Sequence, residues 1–295
     1  MERRKFGNTD MAVSVLGFGG AEIGFEAAPQ ADVDRLLNAA LDTGLNVIDT
    51  AECYRDSEEK IGIAVGGRRS EFFLFTKCGH STGFEEPDWD PKMLAKQIDR
   101  SLERLRTDYV DLIQLHSCSE ELLRQGDGID VLQRAKAAGK TRYIGYSGDQ
   151  DAAKYAVECG AFDSLQTSCN VADQESVDFT IRPASEKGMG VIAKRPVANV
   201  AWANGSSPNS YGHTYWSRLQ KLNYPFLHDR SAVGWALRFT LAQLGVCTAI
   251  VGTKNPDRWQ ENASFLSNGP LPGEEVEGIR QRWSECAEPD WRGQG

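Results

Sequence analysis

The stretch "NVIDTAECY", residues 46–54, sets a carboxylate, Asp49, at the lip of an apolar run and a phenol, Tyr54, just beyond it. Two more titratable residues hold the same place after later apolar runs: Lys77 follows "FFLFT" and His116 follows "DLIQL". Singly, each has an ordinary reading. Asp49 would cap a turn, Tyr54 would be half-buried packing, Lys77 would snorkel and His116 would be a satisfied core histidine. Together the four suit reduction of a carbonyl. Hydride arrival builds negative charge on the carbonyl oxygen, so a proton donor must stand beside it. Tyr54 is the expected donor. A free phenol titrates at about 10, and a cationic Lys77 alongside would lower that value. Asp49 would pair with Lys77 and compensate a buried charge, while His116 would orient the substrate oxygen.

Such a set needs a scaffold that gathers the ends of consecutive strands. Short apolar runs occur at 13–18, 45–48, 72–76, 109–115, 142–146, 164–168, 190–193 and 248–252. Several are almost continuously apolar, as parallel strands covered on both faces are. Helical patterns alternate with them. Residues 31–44 close on Gly44, residues 90–105 open with Asp90 as N-cap and Pro91 at the first helical position, and residues 127–140 end near a glycine. Eight strands alternating with helices predict a single (β/α)8 TIM barrel over residues 1–295, with the site at the C-terminal ends of the strands. Residues 1–12 read as an N-terminal hairpin that would plug the barrel floor, and about 287–295 as a flexible tail. Long loops at 78–90 and about 195–228 are expected at the catalytic face. "GFGGAE" at 17–22 is not a dinucleotide fingerprint, because Glu22 stands where a small residue is needed.

A net charge of −9 argues against nucleic acid or an anionic membrane as the main partner. Seven scattered cysteines without CxxC spacing suit reduced thiols, and no signal or spanning segment is legible, so the cytoplasm is the expected location. The four histidines lack ligand spacing, so no metal site is expected. "GYSGD" is a poor nucleophile elbow, with Asp149 where glycine belongs.

The catalytic segments resemble the aldo-keto reductase family. "NVIDTAECYRDSEEKIG" is similar to its signature around the catalytic Asp and Tyr, "FTKCG" carries its Lys, and "LIQLHS" its His; the likeness runs from about residue 3 to residue 267. The resemblance implies a nicotinamide cofactor and NADPH in preference to NADH. "VGTKNPDRWQEN" (251–262) opens a helix at Asn255-Pro256 with Lys254 and Arg258 beside its N-terminus, an arrangement that suits an anion. In the family this is the site of the adenosine 2′-phosphate, which puts Thr253, Lys254 and Arg258 on the phosphate and Glu261 and Asn262 at the adenine. Gly20, Asp49, Pro196 and Gly252 also fall at cofactor positions, and Ser147 and Gln166 at those of the carboxamide ligands. Two departures stand out. Gly148 replaces the usual Asn, and Lys194 and Arg195 stand where an aromatic commonly stacks on the ring; both are expected at the cofactor, on its pyrophosphate, with the aliphatic stem of one covering the ring.

The function expected is reduction of an aldehyde or ketone to an alcohol, with an NADPH-binding redox sensor or channel-associated scaffold of the same fold as the alternative. Tyr54, His116 and Trp89 are the candidate substrate residues, with Trp202, Tyr211, Tyr215 and Trp216 as further pocket aromatics. Which carbonyl compound is bound, and the oligomeric state, are not legible.

Overall fold

Each apolar run becomes a strand. The computed structural model describes residues 1–203 and 212–294. A hairpin of β1 (Arg3–Lys5) and β2 (Ala12–Ser14) precedes β3 (Leu16–Gly19), β4 (Val47–Asp49), β5 (Phe73–Cys78), β6 (Val110–His116), β7 (Thr141–Ser147), β8 (Ser164–Ser168), β9 (Gly190–Lys194) and β10 (Val246–Gly252). Strands β3 to β10 pair in parallel in chain order, and β10 closes the barrel on β3. This is the (β/α)8 barrel with an N-terminal hairpin that the alternating pattern predicts.

The hairpin closes the floor. Phe6, Met11 and Val13 pack with Val47, Phe75, Leu112, Ile192 and Ile250, the apolar side chains that the strands turn inward at that end. The run 13–18, one strand in the sequence reading, is divided at Val15. Asn46 accepts from the Ser14 amide (2.6 Å) and donates through its own amide N–H to Ser14 Oγ (3.0 Å), a buried clasp that ends the hairpin and turns the chain into the barrel.

The helix starts follow their caps. Asp90 accepts from the Lys92 and Met93 amides at the start of the Pro91–Leu105 helix, and Asn255 accepts from Asp257 N at the start of Pro256–Phe265. Gly44 follows the Gln30–Asp42 helix with φ +91, the left-handed geometry of a helix stop.

The segment read as a flexible tail is docked instead. Trp291 is buried in a second core with Tyr215, Leu219, Leu222, Tyr224 and Ile279, outside the barrel proper. Arg292 pairs with both Asp151 and Glu175, and the Gly293 amide donates to Glu175. One tryptophan and one arginine with two carboxylate partners outweigh the glycines that made the segment look loose.

That second core carries a buried acid. Asp173 accepts from Tyr215 Oη at 2.9 Å and lies 3.8 Å from Arg218. Burial, reinforced by the Asp149 charge, pushes its carboxyl up to about 7. The unfolded chain therefore releases this proton first as pH rises from about 4, so the group's contribution to stability is full at low pH and is lost by about 7. We expect the melting temperature of the wild type, taken relative to Asp173→Asn, to fall between about pH 4 and 7. A pH-independent difference would show that Asp173 does not titrate in that window.

Candidate active site

The ends of β4, β5 and β6 bring the predicted residues together. Asp49, Lys77 and His116 are ladder residues themselves, paired with Phe75, Gln114 and Ser147, rather than the first residues beyond the strands. Lys77 Nζ donates to Asp49 Oδ1 at 2.5 Å and to the Thr50 carbonyl at 2.7 Å, and both side chains of the pair are fully buried. Burial pushes the Asp49 carboxyl up, against the opposing pull of the Lys77 ammonium and the Gln166 and Gln114 amides.

Tyr54 stands over this pair. Lys77 Nζ lies 5.3 Å from the centre of its ring, and the His116 imidazole meets the ring edge-on at 5.7 Å. The phenol, the ammonium and the imidazole therefore share one end of the barrel. The connection that carries Tyr54 is held by Glu52, which sequence reading passed over. Its buried carboxylate accepts from Thr82, Gln97 and Arg104 and pairs with Arg100, tying the segment to the 79–90 loop and the Pro91–Leu105 helix. Its only sequence signal is a lone acid between Ala51 and Cys53.

Burial and the nearby Lys77 charge hold His116 well below the ordinary imidazole range, so the ring is neutral near pH 7. Its Nδ1 lies 3.5 Å from Cys53 Sγ. Burial pushes the Cys53 thiol up to about 12, so the sulfur keeps its proton. A neutral thiol is a better donor to imidazole nitrogen than an acceptor from it, which leaves the His116 proton on Nε2. We expect Cys53→Ser to keep that tautomer and Cys53→Ala to release it, lowering turnover several-fold, with nitrogen chemical shifts of His116 as the direct check. An unchanged tautomer in Cys53→Ala would remove Cys53 from the site.

The cofactor candidates divide. Gly20 donates its amide to the Asp49 carbonyl (2.7 Å) and accepts from Ser57 Oγ (2.8 Å), joining the first loop to the site. Gln166 lies within the buried network, accepting from Gln114 Nε2 at 2.8 Å and donating to Asp49 at 3.4 Å. Ser147 is at the end of β7, and its hydroxyl has no hydrogen-bond partner among the described residues. The missing Asn at position 148 has a steric reason: a Cβ there would lie 2.3 Å from Tyr146 Oη, which donates to the Cys118 carbonyl.

Lys194 and Arg195 are drawn to Asp149, which the sequence analysis weighed only as a flaw in a hydrolase motif. Lys194 Nζ reaches Asp149 Oδ2 at 2.9 Å, and the same carboxylate accepts from Thr167 Oγ1 and Ser168 N at 2.7 Å each. Burial works to raise the Asp149 carboxyl, but Lys194 and these donors outweigh it and the group is held low. Arg195 donates to Ser168 Oγ at 2.9 Å and to the Gln294 carbonyl, so the docked tail crosses this cluster. Pro196 is buried beside it, its carbonyl accepting from Thr240 Oγ1.

At the far end, Gly252 ends β10 beside Gly19, and Thr253 Oγ1 accepts from the Asn255 amide. Lys254 pairs with Glu26 at 2.7 Å beside a cavity of about 350 Å³ lined by Glu26, Asp32, Arg35, Lys254 and Asn255. Arg258 is in the first turn of the helix, near enough to Glu22 to oppose the burial that raises that acid. Glu261 is exposed and Asn262 is buried.

Of the pocket aromatics, Trp89 donates its indole N–H to the His116 carbonyl at 3.0 Å, Tyr215 is bonded to Asp173 in the second core, and Trp216 stacks on His213. Trp202 packs at the edge of that core, and Tyr211 lies outside the described residues.

The family model for the aldo/keto reductase family matches residues 15–284. The chain belongs to that family. It is 30% identical to L-galactose dehydrogenase of Arabidopsis thaliana over 90% of this chain and 88% of that one. It is 27% identical to an NADH-specific methylglyoxal reductase of Escherichia coli over 67% and 68% of the two chains. The aldo-keto reductase AKR11C1 from Bacillus halodurans in its holo form superposes with a TM-score of 0.85 at 27% identity, covering 99% of both chains. As a member of the aldo/keto reductase family, this chain is an NAD(P)H-dependent oxidoreductase. No helix among the described residues is long and apolar enough to cross a membrane.

Proposed function

We propose that the protein reduces an aldehyde or ketone to an alcohol with NADPH, and that Tyr54 gives the proton to the carbonyl oxygen. The observation that carries this reading is the convergence of Tyr54, His116 and the buried Asp49–Lys77 pair at one end of the barrel. A nicotinamide cofactor supplies the hydride when bound. Every other part of the reaction falls to the chain itself.

Neutral His116 donates from Nε2 to the substrate oxygen and holds it beside the phenol. Lys77, charged and fixed by Asp49 and the Thr50 carbonyl, favours the tyrosinate left behind after proton transfer. Asp49 keeps that ammonium in place. Both side chains of the Asp49–Lys77 pair are buried, which keeps water from them and strengthens these charges.

The residues present fit the cofactor. Ser147 and Gln166 would hold the carboxamide, and Lys194, Arg195 and Pro196 would line its path, with Asp149 keeping the two cations compensated. Thr253, Lys254, Arg258, Glu261 and Asn262 would take the adenosine end. The 2′-phosphate would draw Lys254 from Glu26, exchanging a carboxylate partner for a dianion. Lys254→Ala and Arg258→Ala are each expected to weaken NADPH binding about tenfold, while NADH binding stays nearly constant. Equal loss for both cofactors, read by fluorescence titration, would remove the basis for the preference. Turnover of a carbonyl panel, set beside single-turnover oxidation of bound NADPH, tests the reaction itself; oxidation of one equivalent without turnover on any carbonyl would favour a sensor.

A further inference from the structure

Close to the proposed carbonyl site lies an imidazole that this reaction does not use. His80 follows β5 in the 79–90 loop, and its ring meets that of His116 edge-on at a centroid distance of 4.9 Å. The loop is long but not loose at this point. The buried Gln97 amide grips it on both sides, accepting from Gly79 N at 2.9 Å and donating to the His80 carbonyl at 2.6 Å. Trp89 ties its other end to the strand, donating its backbone N–H to the Gly79 carbonyl at 2.7 Å and its indole N–H to the His116 carbonyl. Gly79 has φ +150, and a Cβ there would come within 2.6 Å of the Trp89 indole nitrogen, so only glycine lets the loop close this tightly.

The side chain is oriented as well as placed. His80 Nδ1 lies 3.3 Å from Asp88 Oδ2, and the other Asp88 oxygen accepts from the Ser81 amide at 2.6 Å. The Trp89 ring packs edge-on against the imidazole at 5.2 Å. With Nδ1–H given to Asp88, Nε2 of the neutral ring is an acceptor, and it has no partner among the described residues. About a third of the side chain is open to solvent, so a bound molecule can reach it.

We propose that His80 is a specificity-determining residue that accepts a hydrogen bond from a hydroxyl on the carbon next to the substrate carbonyl. The preferred substrates are then α-hydroxy aldehydes and ketones. The inference rests on the proposed placement of the carbonyl oxygen at Tyr54 and His116. Two vicinal oxygens are about one hydrogen-bond length apart, roughly 2.8 Å, which suits two neighbouring imidazoles that each address one of them. His116 donates to the carbonyl oxygen and His80 accepts from the hydroxyl. A substrate with only hydrogen on that carbon leaves His80 Nε2 facing an apolar surface without a donor, and a site built around a hydroxyl discriminates against the analogue that lacks it. Partial exposure of His80 keeps the effect well below that of a sealed pocket.

The test compares glyceraldehyde with propanal, which share a chain length and differ in hydroxylation, as substrates for NADPH-dependent reduction. The wild type is expected to show a kcat/KM for glyceraldehyde about tenfold or more above that for propanal. In His80→Leu that ratio should fall about tenfold, the loss falling on glyceraldehyde, and His80→Gln, which restores an acceptor, should recover part of it. Asp88→Asn should lower the same ratio by less. Equal loss on both aldehydes in His80→Leu would make His80 a support for His116 and overturn the proposal, as would a wild type indifferent to the hydroxyl. Failure of every carbonyl to oxidise NADPH, in single turnover as well as steady state, would instead overturn the reductase reading and this proposal with it.

Discussion

Tyr54→Phe should bind NADPH as tightly as the wild type and lose carbonyl turnover by about 100- to 10,000-fold, the range of a general acid removed from its site. Phenylalanine keeps the ring against Phe25 at 5.4 Å and against His116 at 5.7 Å. The backbone turn that places the residue, Tyr54 N to the Ala51 carbonyl and Ser57 N to the Tyr54 carbonyl, does not involve the phenol oxygen. A fold defect is therefore not the expected cause of any loss. Because a proton is transferred only as charge develops on the carbonyl oxygen, the loss should fall on kcat, with KM changed little. Steady-state rates beside an NADPH titration decide the matter. Turnover within about threefold of the wild type would assign the proton to another group, with His116 the nearest titratable ring.

Three of the four residues of the proposed mechanism were legible as candidates because strand ends are legible, and Tyr54 follows the first of them by five positions. An apolar run that stops on a titratable residue marks the catalytic face of a barrel, and three such runs in succession, at Asp49, Lys77 and His116, place those residues on adjacent strands. The helix caps at Asp90 and Asn255 were equally local, each a polar residue followed by proline. What sequence reading missed depends on contacts between distant segments. Glu52 meets Arg100 and Arg104 from a helix about 50 residues away, and His80 reaches His116 only because Gln97 and Trp89 fold the loop back. Asp149 looked like a defect in a different motif until Lys194, two strands on, was found against it. The tail misled for a related reason: Gly293 and Gly295 suggest freedom, while the docking is done by Trp291 and Arg292, whose partners Glu175 and Asp151 carry no mark of it in the sequence.

The second large effect concerns the pair beneath the phenol, and here stability and activity should separate. Asp49→Asn leaves the Lys77 ammonium buried, with the Thr50 carbonyl as its remaining strong partner, and breaking one side of such a pair typically costs about 3–5 kcal/mol. Lys77→Met leaves a carboxylate whose pKa burial already raises, and which can relieve itself by taking a proton. The lysine variant should therefore be the less destabilised of the two. In Asp49→Asn/Lys77→Met both charges are gone, and the midpoint of urea unfolding should recover most of what Asp49→Asn loses. Activity should not recover. Without the ammonium nothing beside Tyr54 favours the tyrosinate, so the double variant should be folded, should bind NADPH, and should be as inactive as either single variant. Measuring midpoints and turnover on the same three preparations separates the two roles. If the double variant regained activity together with stability, the pair would be a structural element of the barrel mouth and the proton-donor chemistry would have to be carried without Lys77.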